Sequence, residues 1–261
     1  MAATTYGLSA TRGRGQWFWF WAALYCAVFS FGLFAATYWL QLAAGTFKGG
    51  GPLLHLHAVL FSGWTVLLVS QTWLAARGHL EHHRAWGLLG IALASAMVSV
   101  GMAVAIRNVA HYVDQGLGQA AYAFMMFPLS GIAEFALFFA LAIANIARPD
   151  WHKRFMMVAT AGLLQAPAGR IGFLAATHGG GPGLRPGLGP PAPIDAMLVG
   201  AAIASLVLVA GAIWDWRTRR APHAAWLIGI VVIVGVGALS PMITATSAWT
   251  GLVSWLLDFG R

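Results

Sequence analysis

Charged side chains and cysteine are the two features that this chain has least of. Only 8% of its 261 residues are charged, against 59% hydrophobic, and its mean hydropathy is +0.74. A soluble globular domain carries roughly a quarter charged residues. The shortage of charge therefore excludes that class and predicts a polytopic membrane protein.

Cysteine occurs once, as Cys26 inside the first apolar run. A single cysteine excludes an internal disulfide and a cysteine-based metal knuckle. Acidic residues are also few, since 7 Asp and Glu stand against 15 Lys and Arg, which gives a formal charge of +8. The basic residues lie in short loops between apolar runs, so we interpret them as membrane-orienting residues and expect no nucleic-acid partner.

Seven apolar runs approach or exceed the roughly 20 residues that a helix needs to cross a bilayer. They predict an all-α fold: one transmembrane bundle over 17–261, built from one helix plus three hairpins, after an N-terminal segment 1–16. A kink is expected in the fifth run, at Pro167. The runs lie at about 17–42, 53–76, 85–107, 120–147, 153–177, 195–216 and 224–246, and the tail 249–259 either continues the last helix or lies along the interface.

Basic residues are divided unevenly between the two sides of this predicted bundle. Ten lie in the N-terminal segment and the even-numbered loops, and four, including Arg185 and Arg261, lie on the other side. Loops rich in Lys and Arg stay in the cytoplasm. The bias predicts a cytoplasmic N-terminus and a periplasmic C-terminus.

Three short blocks carry a resemblance to a known family. The first block is HAxxFSGW from His57, followed by Gln71 and by HRxxG from His83. The second is HKRFM from His152, followed by Ala159, Thr160 and Pro167-x-x-Arg170. The third is Asp215 with Arg217, Arg219, Arg220 and Pro222-His223-Ala224. Over about 55–250 they resemble an uncharacterised family of bacterial multi-pass membrane proteins. The family's usual order in the third block is His-Pro-Ala, from which this chain departs. The resemblance implies a seven-helix fold in the bacterial inner membrane, and it implies no chemistry.

Histidine provides the first candidate site. His57, Phe61, Trp64, Leu68 and Gln71 recur at helical spacing, so they form one stripe that faces the bundle interior. His178 closes the fifth run, and both histidines are predicted near the outer boundary. Neutral imidazole suits haem iron and transition-metal ions, so we predict that the two bind haem b or a metal ion. The alternative is a pair of interfacial histidines bonded to water or backbone carbonyls.

Two ionisable groups inside apolar runs form the second candidate. A lone charge within the bilayer is costly, so Arg170 and Glu134 are expected to pair with each other or to line an aqueous cavity. Paired with Arg170, Glu134 would stay ionised. Beside a cofactor, the planar guanidinium of Arg170 could hold a haem propionate, a quinone carbonyl or a lipid phosphate. The alternative is a clamp between two helices.

The remaining polar motifs give weaker signals. His79-Leu80-Glu81-His82-His83 matches the HxxHH box of membrane di-iron oxygenases, but such sites need several boxes, and we interpret this one as a wetted turn. Asp215 stands near Arg217, Arg219 and Arg220, which predicts an interfacial charge cluster that meets anionic lipid.

Together these patterns predict a redox or electron-transfer membrane protein. Its cofactor site would hold His57 and His178 as ligands, with Arg170 and Glu134 around them, and its partners would be membrane lipids and a quinone or other membrane subunits. Two alternatives stay open. One is a non-catalytic accessory or assembly subunit of a membrane complex. The other is a transporter, for which Gln71, Glu134, Gln165 and Arg170 are a meagre lining.

Overall fold

A computed structural model describes the backbone of residues 3–184 and 191–259, and the side chains from residue 16 onward within those ranges. This part of the chain is helical and contains no strand. Arg185 and Arg261, which entered the charge count, lie outside the described residues, as do the side chains of Arg12 and Arg14. The helices are α1 Ala3–Phe34, α2 Leu40–Ala43, α3 Gly51–Ala76, α4 Leu80–Asp114, α5 Gly118–Phe124, α6 Met126–Ala144, α7 Pro149–Leu163, α8 Gln165–Ala176, α9 Ala196–Arg219, α10 Ala224–Thr244 and α11 Ser247–Phe259.

Six helical segments in the described chain are long and apolar enough to cross a membrane. They coincide with six of the seven predicted runs, and the third extends well beyond its predicted ends. They are Gln16–Ala43, Gly51–Ala76, Leu80–Asp114, Gly118–Ala144, Ala196–Arg219 and Ala224–Thr244. The structure therefore confirms an all-helical, multi-pass membrane architecture.

The fifth predicted run is divided into two shorter helices. α7 has 15 residues and α8 has 12, with Leu164 between them. Pro167 has no amide hydrogen to donate to the carbonyl of Leu163, so the helical ladder is interrupted one turn before the proline. The amide of Leu164 instead bonds to the carbonyl of Ala161 at 2.9 Å, as in a tighter turn. Pro167 thus breaks the helix at the place where the sequence predicts a kink.

Three other segments also depart from a straight α-helix. Ala35–Trp39 forms a π-helical turn between α1 and α2. Pro128 divides α5 from α6 at Met125 by the same mechanism as Pro167. Pro241 lies inside α10, where it frees the carbonyl of Gly237, and the hydroxyl of Ser240 donates to that carbonyl at 2.7 Å.

The bundle packs through small residues and aromatic rings. α6 packs on α7, α9 on α10, and α3 on both α1 and α4. Gly211 on α9 lies flat against the indole of Trp226, since a Cβ there would come within 2.6 Å of the ring. Aliphatic side chains point outward, Val231 and Leu88 among them at 71% and 70% exposed. An apolar exterior of this kind suits lipid.

The tail forms a helix of its own, α11, after a short turn that ends α10. Trp249 and Val253 are buried against α4 and α5, and the indole of Trp249 donates to the backbone carbonyl of Tyr122 at 2.9 Å. The hydroxyls of Tyr122 and Ser254 bond at 3.1 Å. The tail is therefore a packed part of the bundle rather than an extension of α10.

Candidate functional site

The polar side chains of the interior lie in two regions. We call the end of the bundle at which α3 begins the His57 end, and the opposite end, at which α7 begins, the Arg154 end. The π-helical turn lies towards the His57 end, and the α7–α8 break lies near the middle of the bundle.

The stripe predicted on α3 does face the interior. Trp64, Leu68 and Gln71 are buried, and the ring of His57 stacks on Phe61 with their centroids 4.0 Å apart. The indole of Trp64 donates to the hydroxyl of Thr160 on α7 at 3.3 Å. A polar atom from the middle of α3 is therefore directed towards α7.

His57 is the predicted ligand whose surroundings fit that role best. Its Nδ1 is buried and has no hydrogen-bond partner among the described residues. The guanidinium of Arg170, on α8, lies within electrostatic range of this ring. A second contact fixes Arg170, whose guanidinium carbon lies 4.7 Å from the ring centroid of Phe34 on α1. The fold thus brings His57 and Arg170 to the same end of the bundle, from different helices.

His55 and His178, at the same end, have different surroundings. His55 is engaged, since its Nδ1 bonds to the hydroxyl of Tyr38 at 2.8 Å. His178 is exposed just past the end of α8, and it adopts the left-handed backbone conformation with φ of 51°. No contact between described residues joins His178 to His57.

Glu134 has a different partner from the one that the sequence predicts. It is 4% exposed, and its Oε2 accepts a hydrogen bond from the side-chain amide of Gln165 at 2.8 Å. Ion pairs within the described chain do not include Glu134. The expected Arg170–Glu134 pair is therefore wrong for this structure. Gln165 lies beside Glu134 directly after the break at Leu164. Arg170 lies about two turns further along α8, so its guanidinium is kept apart from Glu134.

The strongest polar cluster lies at the Arg154 end, and sequence reasoning missed it. Arg154 on α7 and Asp215 on α9 are each 1% exposed. Arg154 donates two hydrogen bonds to the carboxylate of Asp215: one from Nε to Oδ2 at 2.8 Å, and one from Nη2 to Oδ1. The indole of Trp226, on α10, also donates to Oδ2 at 2.8 Å. Three helices are thereby joined through one carboxylate.

The sequence predicts that Asp215 is an interfacial group that meets lipid. This prediction is wrong, because Asp215 is buried in the pair with Arg154. The basic residue nearest to it in space is Arg154, 61 positions away, and not the arginines that follow it on α9. Arg219 instead bonds to Asp150 at 3.0 Å. One signal could have located the pair: Asp215 is the last residue of the α9 stripe that faces α7, since Leu208 and Gly211 precede it at helical spacing and are buried.

Asp150 lies next to this cluster and forms more exposed ion pairs with basic side chains. It accepts from Lys153 at 2.9 Å and from Arg154 at 3.1 Å, and its side chain is 48% exposed. Burial raises the pKa of Asp150, but hydrogen bonds from Lys153, Arg219 and Arg154 outweigh it and hold that pKa below its usual value. The carboxylate is therefore ionised across the physiological range and balances the basic residues around it.

His83 and His152 also lie close to each other at the Arg154 end. The rings of His83 and His152 lie with centroids 6.4 Å apart and planes at 87°. Nδ1 of His152 donates to the carbonyl of Ala142 at 2.9 Å, since a carbonyl can only accept. Nδ1 of His83 and both amide atoms of Gln71 are buried without a partner in the described chain. Within that part of the chain, no group of three or more His, Cys, Asp or Glu is placed to hold a metal ion.

Comparison with known proteins adds nothing to this geometry. Searches against protein-family models, curated proteins and solved structures found no match.

Proposed function

We propose that this chain is a redox protein of the bacterial inner membrane, with a haem b or transition-metal site at the His57 end. In this proposal α7 and α8 together form a seventh, broken crossing. The N-terminus then lies in the cytoplasm, the C-terminus in the periplasm, and the His57 end faces the periplasm. Membrane lipid surrounds the bundle, and a quinone or a partner subunit exchanges electrons with the cofactor.

One observation carries the proposal: a buried imidazole nitrogen, Nδ1 of His57, has no partner within the described chain. Buried polar atoms in folded proteins almost always have a hydrogen-bond partner, and an exception calls for a ligand or a functional reason. Imidazole nitrogen is the commonest protein ligand for transition metals and a frequent axial ligand of haem iron. An incoming metal ion would satisfy this nitrogen directly.

Arg170 supports the same site from a second helix. Its guanidinium lies within electrostatic range of His57 and offers a planar donor fork for a propionate or another anionic group. The face of α1 contributes through Phe34, which lies under the guanidinium.

A second ligand for this site would come from α8 or from the chain that follows it. His178 is the other histidine predicted for this site, and it lies past the end of α8, about two turns beyond Arg170. A bis-histidine site requires His178 to turn inward. A single-ligand site requires only His57, so the role of His178 is open to direct test.

The test is an absorption spectrum of the full-length protein purified in detergent, recorded with and without dithionite, together with a measurement of bound metals. We expect a Soret band or a bound transition metal in the wild type and its loss in His57→Ala. His111→Ala is the matched control, because His111 is an exposed histidine whose ring bonds to Gln115 at 2.9 Å. A bis-histidine site predicts equal loss in His178→Ala, whereas a site built on His57 alone predicts retention.

A colourless and metal-free wild type would overturn the proposal. The alternative would then be a non-catalytic accessory or assembly subunit of a membrane complex. The observation that favours it is the Arg154–Asp215–Trp226 cluster, in which the largest set of buried polar contacts serves to join helices.

A further inference from the structure

The inference concerns Glu134 and Gln165, at the α7–α8 break. We propose that Glu134 is a proton-binding site: the folded protein holds an exchangeable proton on Oε1 of Glu134, beside the amide of Gln165. The proposal does not depend on a cofactor at His57.

The orientation of the Gln165 amide is fixed by its neighbours. Its Nε2 donates to Oε2 of Glu134 at 2.8 Å and approaches the carbonyl of Gly162 at 3.3 Å. Both partners are acceptors, so the atom that faces them must be the nitrogen. The amide oxygen therefore points away from them and needs a donor of its own.

Two buried oxygen atoms are left without a donor by this arrangement. Oε1 of Glu134 and Oε1 of Gln165 have no hydrogen-bond partner in the described chain, and the residues are 4% and 8% exposed. An ionised carboxylate can only accept hydrogen bonds, and so can an amide oxygen. A single proton on Oε1 of Glu134 turns one of the two acceptors into a donor. An O–H there can donate a hydrogen bond, which neither oxygen can do while Glu134 is ionised.

The surroundings favour the neutral acid over the carboxylate. An unpaired carboxylate in an apolar interior is strongly unfavourable, while a neutral acid with hydrogen bonds is tolerated. The helices packed against α6 carry ionisable groups mainly near their ends: Glu81, His82, His83, Arg84, Arg107, His111, Tyr112 and Asp114 on α4, Tyr122 on α5, Asp150, His152, Lys153 and Arg154 on α7, Arg170 on α8, and none on α10. Within the described chain, none of these groups forms an ion pair with Glu134.

Local packing holds the pair where the helix is interrupted. Gly162 on α7 provides the room, since a Cβ there would come within 3.4 Å of both Cβ and Oε2 of Glu134. Gln165 is the first residue of α8, directly after the break at Leu164. Discontinuous helices in membrane proteins recur at sites that bind protons and ions. A change in the angle between α7 and α8 would move the amide away from the acid and so alter its hold on the proton.

Infrared spectroscopy of the full-length protein in detergent, at neutral pH, tests the proposal without a variant. The chain contains two glutamates, Glu81 and Glu134, and the side chain of Glu81 is 82% exposed. With glutamate labelled by carbon-13, we expect a protonated-carboxyl band that carries the isotope shift and moves again in heavy water. No such band, or one that lacks the isotope shift, would overturn the proposal. A band that heavy water fails to move would overturn the exchangeable character of the proton.

Variants then assign the band. We expect it to fall to background in Glu134→Gln and to remain in Glu81→Gln, the matched control. Gln165→Leu should keep the band and shift it to higher wavenumber, because the acid loses its amide partner. That variant also covers the case in which Glu134→Gln does not fold. A band that Na⁺ removes at constant pH and ionic strength would assign the site to sodium and overturn the proton. The absorption test of His57 is independent, so the two proposals can fail separately.

Discussion

The Arg154 cluster and the His57 end solve the problem of polar groups in an apolar bundle in opposite ways. At the Arg154 cluster each buried charge meets its counter-charge, and one carboxylate accepts three hydrogen bonds from two neighbouring helices. Outside that cluster, buried polar atoms have bonds unfilled within the described chain: those of Thr37 and His57 towards the His57 end, of Glu134 and Gln165 near the middle, and of Gln71 and His83 towards the Arg154 end. Satisfied networks rigidify a fold, while unsatisfied buried groups cost stability and are kept where function requires them. The difference indicates that the Arg154 cluster joins helices, whereas the groups with unfilled bonds contribute no such link.

The largest expected effect comes from breaking the buried ion pair. Arg154→Leu leaves Asp215 as an uncompensated buried charge, so we expect the free energy of unfolding to fall by about 3–5 kcal/mol. Chemical or thermal unfolding in detergent measures it. Arg219→Leu is the control, because its exposed pair with Asp150 is worth about 0–1 kcal/mol. Equal losses in the two variants would contradict the role given to the cluster, and the double variant Arg154→Leu with Asp215→Leu should recover part of the loss.

A smaller effect is expected from the packing that supports the same cluster. In Gly211→Ala the new methyl group would meet the ring of Trp226 at 2.6 Å, and overpacking of this kind costs about 1–3 kcal/mol. Displacing that indole also weakens its bond to Asp215. Gly235→Ala on α10 is the matched control, since a Cβ there has no neighbour within 4 Å. We expect the same unfolding assay to separate the two variants, and a neutral Gly211→Ala would show that the indole can shift freely.

The smallest effect, with the opposite sign, is expected at the His57 end. His57→Phe removes a buried nitrogen without a partner and keeps the stacking on Phe61, so the free energy of unfolding should stay constant or rise by about 1 kcal/mol. The unfolding measurement must be made on protein free of any bound cofactor, because ligand binding adds its own stabilisation. A loss as large as that of Arg154→Leu would abolish the contrast between the two regions.

Much of the fold could be predicted from the sequence because hydrophobic length is a local property. Six of the seven runs coincide with long helices, and the inward-facing stripe of α3 follows from the 3.6-residue period alone. Pro167 predicted the interruption of the fifth run for the same reason, since the missing amide hydrogen acts within one turn. The burial of Asp215 could not be predicted from local sequence in this way. Its neighbours in sequence are basic, whereas its partner in space comes from another helix.

The candidate site was predictable only in part, for a related reason. His57 was chosen from its position on the stripe, and its interior orientation is found in the structure. The partner of Glu134 was wrong, because the choice between Arg170 and Gln165 depends on how far α8 is rotated after the break. A sequence fixes which groups need partners, but it does not fix the helix rotation that selects among them.

Sequence by itself determined that this is a helical membrane bundle and where its long helices lie, because these depend on local hydrophobicity and helical period. Tertiary structure alone decided the pairings: Arg154 with Asp215, Gln165 with Glu134, and His57 near Arg170. Such pairings depend on the relative positions of helices far apart in sequence, and close packing in three dimensions sets those positions.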